Sequence, residues 1–105
     1  MGNTVICRFR VHADREEEFR DLLRGHWPLL HGLGFVTDEG PEQYRGTDPL
    51  DGGPVYFEIF SWKSTGAMNH AHEHLEVAAI WRRMRACVVE HQGLPQWEFA
   101  HVESL

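Results

Sequence analysis

Nine residues in the middle of the chain, 55–63, read VYFEIFSWK and limit the fold more than any other stretch. A run of β-branched and aromatic residues with period-2 alternation forms a strand. Val55, Phe57 and Ile59 then fall on one side of that strand, and Tyr56, Phe60 and Trp62 on the other. Both sides are apolar, so both must be covered. A chain of 105 residues supplies one core and buries only about two thirds of its unfolded surface. Its own helices can cover one face of a sheet. The second face needs a partner, and the simplest partner is a second copy of the chain. The sequence therefore predicts a homodimer.

The flanking segments say what kind of sheet this strand joins. Residues 4–12, TVICRFRVH, alternate Val5, Cys7, Phe9 and Val11 with Ile6, Arg8, Arg10 and His12, as a half-buried strand does. Asp14 followed by Glu17 has the spacing of a capping box, and predicts a helix over 15–30. Phe19, Leu22, Leu23, His26 and Leu30 share one stripe of it, Pro28 sits in its last turn, and Gly32 and Gly34 end it. Residues 35–37 and 43–45 read as two pieces of one strand, interrupted at Gly40-Pro41, and 46–54 as a loop. Residues 65–90 carry a second helical stripe, His70, His74, Val77, Trp81, Met84 and Val88, with a break expected between 69 and 75 and a stop at Gly93. A last strand covers 96–102. Leu30-His31-Gly32-Leu33 and His91-Gln92-Gly93-Leu94 precede strands in the two halves, a faint internal symmetry. The order βαββαβ is that of an α+β, ferredoxin-like domain: a four-stranded antiparallel sheet with two helices on one face, occupying residues 1–105 as a single domain.

Composition narrows the partners. The net charge of −6, from 16 acidic and 10 basic residues, disfavours nucleic acid and anionic membranes, both of which need a basic footprint. No apolar run reaches the roughly 20 residues of a membrane helix, and the first residues lack the basic and apolar regions of a signal peptide. A cytoplasmic protein with a small organic ligand is the expectation. Cys7 and Cys87 have no C-x-x-C or histidine neighbour, so two buried free thiols are expected rather than a disulfide or a nucleophile.

The residues with chemical potential are histidines. His70, His72 and His74 form H-A-H-E-H; on a helix His70 and His74 share a face and His72 points to solvent. Two histidines at i and i+4 can grip one metal ion. His26, on the apolar stripe of the first helix, can face them across the sheet, and Glu58 can add a carboxylate if its side of the strand lies under the helices. The candidate metal set is thus His26, His70, His74 and Glu58, suited to a divalent transition metal such as zinc, iron, copper or nickel. The competing reading is structural: His26 hydrogen-bonded in a packed core, and His72 and His74 in a solvated loop. Trp62, Trp81, Tyr56 and Phe60 are candidates for an aromatic pocket wall. No heme or flavin motif and no glycine-rich phosphate loop is present.

With its strand order, the segment Ile59-Phe60-Ser61-Trp62-Lys63 leading into a helix, the segment Ala71-His72-Glu73-His74-Leu75-Glu76-Val77 and the final Trp97-Glu98-Phe99, the chain resembles the dimeric α+β barrel superfamily, in its antibiotic biosynthesis monooxygenase-like branch. The resemblance covers nearly the whole chain. It implies a pocket between sheet and helices and a small-molecule, oxygenase-like activity that needs neither flavin nor heme. His26 or His74 would then act as base or orient the substrate. The heme-degrading members place their axial histidine where this chain has Trp81, a departure that argues against heme. Fold alone does not select an activity. A non-catalytic metal-binding protein and a dimeric ligand-binding module stand as alternatives.

Overall fold

The structure, a computed structural model, describes residues 3–89 and 97–105. Strand β1 spans Thr4–Arg10, β2 Glu42–Thr47, β3 Pro54–Ser61 and β4 Trp97–Val102; helix α1 spans Glu16–Gly32, α2 Thr65–Glu73 and α3 Leu75–Ala86. The four strands form one antiparallel sheet in the order β2-β3-β1-β4. This is the expected ferredoxin-like arrangement, with the second helical region divided into two helices.

Several local expectations are corrected. A 3-10 turn at Ala13–Arg15 precedes α1 and takes Asp14 into itself, so Arg15 is the residue ahead of α1 and no side chain caps it. The capping box does not form. The second strand is the polar edge segment Glu42–Thr47, while Val36 makes only an isolated bridge to Trp62. Phe35 and Thr37 still dock there, through Lys63 N–H to the Phe35 carbonyl at 3.0 Å and Thr37 N–H to the Ser61 carbonyl at 2.9 Å. The last helix ends at Ala86 rather than near residue 90, because the chain turns at Cys87 and Val88 bridges to Val11. The Gly93 stop, the His91-Gln92-Gly93-Leu94 half of the symmetry and Gln96 lie outside the described residues.

Register decides which side of each strand meets the helices. Phe60 lies opposite Val5, Glu58 opposite Cys7 and Tyr56 opposite Phe9, all under the helices; Ile59 opposite Ile6 and Phe57 opposite Arg8 are on the other face. Phe9 packs on Phe19 of α1 at 5.1 Å, and Phe19 on Tyr56 at 5.3 Å. Leu23, Leu30, Val77 and Met84 complete the buried layer. Among the described residues no helix covers the opposite face. Ile6, Phe57 and Ile59 are half-buried there, and Tyr44 is 55% exposed.

At one end of the sheet, α1 is tied to β2 and β3 by ionic bonds. Arg45 Nε donates to Glu16 Oε1 at 2.6 Å and its Nη2 to Oε2 at 3.2 Å. The Tyr56 hydroxyl donates to Glu16 Oε1 at 2.7 Å and accepts from Arg20 Nε at 2.8 Å. The Arg45 and Tyr56 hydrogen bonds lower the Glu16 carboxyl from its usual 4.5 to about 2. A carboxyl lowered on folding stabilises the native state above its ordinary value, and that contribution is lost as pH falls through the folded value. The stability difference between wild type and Glu16→Gln in urea titrations should therefore shrink as pH falls from about 4.5 to about 2. A difference that stays constant over that interval would show that the bonds seen at Glu16 do not hold in solution.

Candidate active site

Glu58 stands in the middle of the central strand pair and is completely buried. A carboxylate without water needs hydrogen-bond donors, and two elements supply them. His26, 3% exposed on the buried stripe of α1, places Nδ1 2.6 Å from Glu58 Oε1. Gln43, opposite Glu58 on β2, donates its amide N–H to Oε2 at 2.9 Å and approaches the Leu23 carbonyl at 3.5 Å. The other imidazole nitrogen, Nε2, accepts the indole N–H of Trp81 on α3 at 2.8 Å. An indole can only donate, so Nε2 carries no proton here. A neutral ring must then carry its proton on Nδ1 and donate it to Glu58. Hydrogen bonding thus sets the tautomer, with the lone pair of Nε2 turned away from the carboxylate.

Beyond Trp81 lies a cavity of about 220 Å³. Its floor is the helix-facing side of the sheet: Val5, Cys7 and Phe9 from β1, with Phe60 and Trp62 at the end of β3. Met68 of α2 and Met84 of α3 close the opposite wall. Trp97 and Phe99 of the edge strand β4 form one side, and Phe9 packs against them edge-on at 5.5 and 6.5 Å. Polar groups are few: His26 within, and His72, Arg85 and His101, all exposed and so at the mouth. Cys7 faces Glu58 across the strand pair; burial first, and then the Glu58 charge, raise its thiol well above the usual value. It is a protonated wall residue, not a nucleophile.

The predicted site residues separate into two groups. His26 and Glu58 meet, and Phe60, Trp62 and Trp81 line the cavity. Tyr56 does not line it: its hydroxyl is held by Glu16 and Arg20 on the far side of α1. The three-histidine convergence is not found. The chain breaks at His74, which has extended backbone (φ −81°, ψ 130°), and its Nδ1 accepts the Glu76 N–H at 3.2 Å to cap α3. That break removes the i, i+4 relation of His70 and His74, and His70 is exposed on α2. His72 is exposed, as expected, with its ring 4.8 Å from the Trp81 ring. Both nitrogens of His26 are engaged, Nδ1 by Glu58 and Nε2 by Trp81. Among the described residues no group of three or more His, Cys, Asp or Glu side chains is placed to hold a metal. The donor set proposed from spacing does not fit one. Sequence reasoning missed Gln43, the two methionines, Arg85, Trp97, Phe99 and His101. The alternation of Trp97, Phe99 and His101 carried the signal for one wall; nothing marked Gln43.

No protein-family model matches the chain, and no curated protein matches it significantly. Solved structures do. An antibiotic biosynthesis monooxygenase superimposes with a TM-score of 0.70 at 12% identity, over 97% of this chain and 97% of that one. A cofactor-independent oxygenase, SnoaB from Streptomyces nogalater, gives 0.65 at 14% identity, over 97% and 93%. A dimeric ferredoxin-like protein of unknown function from a Jannaschia species gives 0.59 at 16%, over 96% and 97%. The chain thus shares the ferredoxin-like fold of these structures, antibiotic biosynthesis monooxygenases among them, as the strand order implied. Among the described residues no helix is long and apolar enough to cross a membrane.

Proposed function

We propose that this chain is a single-domain, homodimeric, small-molecule oxygenase that uses His26 as its base and needs no cofactor. One observation carries the reading: the His26 ring is bonded to a buried carboxylate at Nδ1 and lines an aromatic-walled cavity, with Nε2 accepting from Trp81, itself a wall residue. The similarity to a cofactor-independent oxygenase supports it. A base oriented in this way belongs to general acid–base catalysis. An oxygenase without a cofactor must draw electrons from its own substrate, and removing a proton from a phenol or enol makes it electron-rich.

In the first step the substrate O–H takes the place of the Trp81 N–H on Nε2 and gives up its proton. Glu58 then faces an imidazolium and stabilises it through Nδ1. The resulting phenolate reduces dioxygen at the para carbon, one oxygen atom stays on the ring as a carbonyl, and the other leaves as water. For 1-naphthol the balance is naphthol plus O2 to 1,4-naphthoquinone plus water. Gln43 holds the second carboxylate oxygen, so that Glu58 stays aimed at the ring. A ligand-binding module is the second reading, favoured by the Trp81 N–H that occupies Nε2.

Oxygen-electrode assays with 1-naphthol separate the two. The oxygenase reading expects quinone formation with oxygen uptake, lowered about 10²–10⁴-fold in His26→Gln and by a smaller factor in Glu58→Gln. Binding without oxygen uptake leaves the module, and uptake that is equal in wild type and His26→Gln removes the base assignment.

The dimer rests on the uncovered sheet face of Ile6, Phe57, Ile59 and Tyr44, too apolar to stay in water; similarity to a dimeric ferredoxin-like protein supports it. Sedimentation at micromolar concentration should give twice the chain mass of 12.2 kDa. Ile59→Lys, which puts a charge at the centre of that face, should shift it toward monomer. A wild-type monomer would contradict the proposal.

A further inference from the structure

We infer that the cavity takes a small aromatic acid, one or two fused rings carrying an anionic group that Arg85 holds at the mouth. The inference rests on the reading of the cavity as the substrate site and adds what the substrate must carry. Charge is the first ground. The chain as a whole is at −6, yet among the described residues no carboxylate lines the cavity, whereas Arg85 does, with His26, His72 and His101. An opening that holds a guanidinium and, among the described residues, no carboxylate favours an anion there.

Arg85 is placed to do this. Its guanidinium lies 5.2 Å from the ring of Trp97, itself a cavity wall. Stacking on an aromatic ring orients the planar group while leaving N–H donors in its plane for a carboxylate. No carboxylate among the described residues pairs with it. His72 and His101, exposed on either side of the opening, can each add a ring N–H.

Size and spacing define the rest of the ligand. About 220 Å³ is below the roughly 300–1,000 Å³ of drug-sized pockets, which limits the apolar part to one or two rings. Arg85 follows Trp81 by four residues on α3, about 6 Å along the axis. Trp81 marks the lone pair of His26 Nε2, so the ligand's hydroxyl and its anionic group belong at opposite ends of a ring system of about that length.

A matched pair tests this: 5-hydroxy-1-naphthoate and 1-naphthol, which differ by the carboxylate, titrated at pH 7 and low salt by tryptophan fluorescence and calorimetry. The acid should bind about tenfold more tightly, the worth of one charge-assisted hydrogen bond. Arg85→Gln should close the gap by weakening the acid alone, and Arg85→Lys should restore part of it. Equal affinities in wild type, or an advantage that survives Arg85→Gln, would overturn the anion assignment while 1-naphthol binding left the cavity reading standing. If neither compound binds up to millimolar concentration, the cavity is not a substrate site and both readings fall.

Discussion

A carboxylate buried at the centre of a sheet is the constraint on which the rest of this structure turns. Glu58 has apolar neighbours along its own face of β3, Phe60 on one side and the ring of Tyr56 on the other, and no exposure. Burying an unpaired charge costs several kcal/mol or more. Two side chains from different elements offset that cost, His26 from α1 and Gln43 from β2. Each has to arrive at about 2.6–2.9 Å, which fixes how α1 lies across the sheet and how the edge strand pairs. A polar residue that specifies one packing in this way differs from a hydrophobic one, which tolerates several.

The same bond has a chemical consequence. By accepting the hydrogen bond of His26 Nδ1–H, Glu58 leaves the lone pair on Nε2, where it accepts from Trp81, a wall residue of the cavity. The metal centre built from spacing alone does not form among the described residues, because the chain breaks at His74 and that side chain caps α3 instead.

Period-2 alternation and helical stripes made the order of strands and helices legible, because most of those segments have one buried side. The edge strand Glu42–Thr47 was legible only at 43–45: both its sides are largely exposed, so EQYRGT carries no apolar rhythm, and the more apolar 35–37 was joined to it as part of the same strand. At the site, the stripe through Phe19 and Leu23 placed His26 inside correctly. Alternation tied Glu58 to Tyr56, Phe60 and Trp62, but no periodicity tells which face of a strand meets a helix. The histidine run was misread because helical phase was carried across His74. One residue in extended backbone resets that phase, turning His74 into a cap and bringing His72 to Trp81. Gln43 and Arg85 act through tertiary neighbours far away in sequence, and leave no local trace.

The most direct measurement is the protonation of the His26 ring, by nitrogen-15 NMR of histidine-labelled, ligand-free protein near neutral pH, with His26→Gln to assign the signal among the eight histidines. The structure predicts a proton on Nδ1 and a bare Nε2 hydrogen-bonded to the Trp81 indole N–H, a coupling that disappears in Trp81→Phe. A proton on Nε2, with or without one on Nδ1, would contradict the account, because neither the Trp81 bond nor a base facing the cavity can then exist.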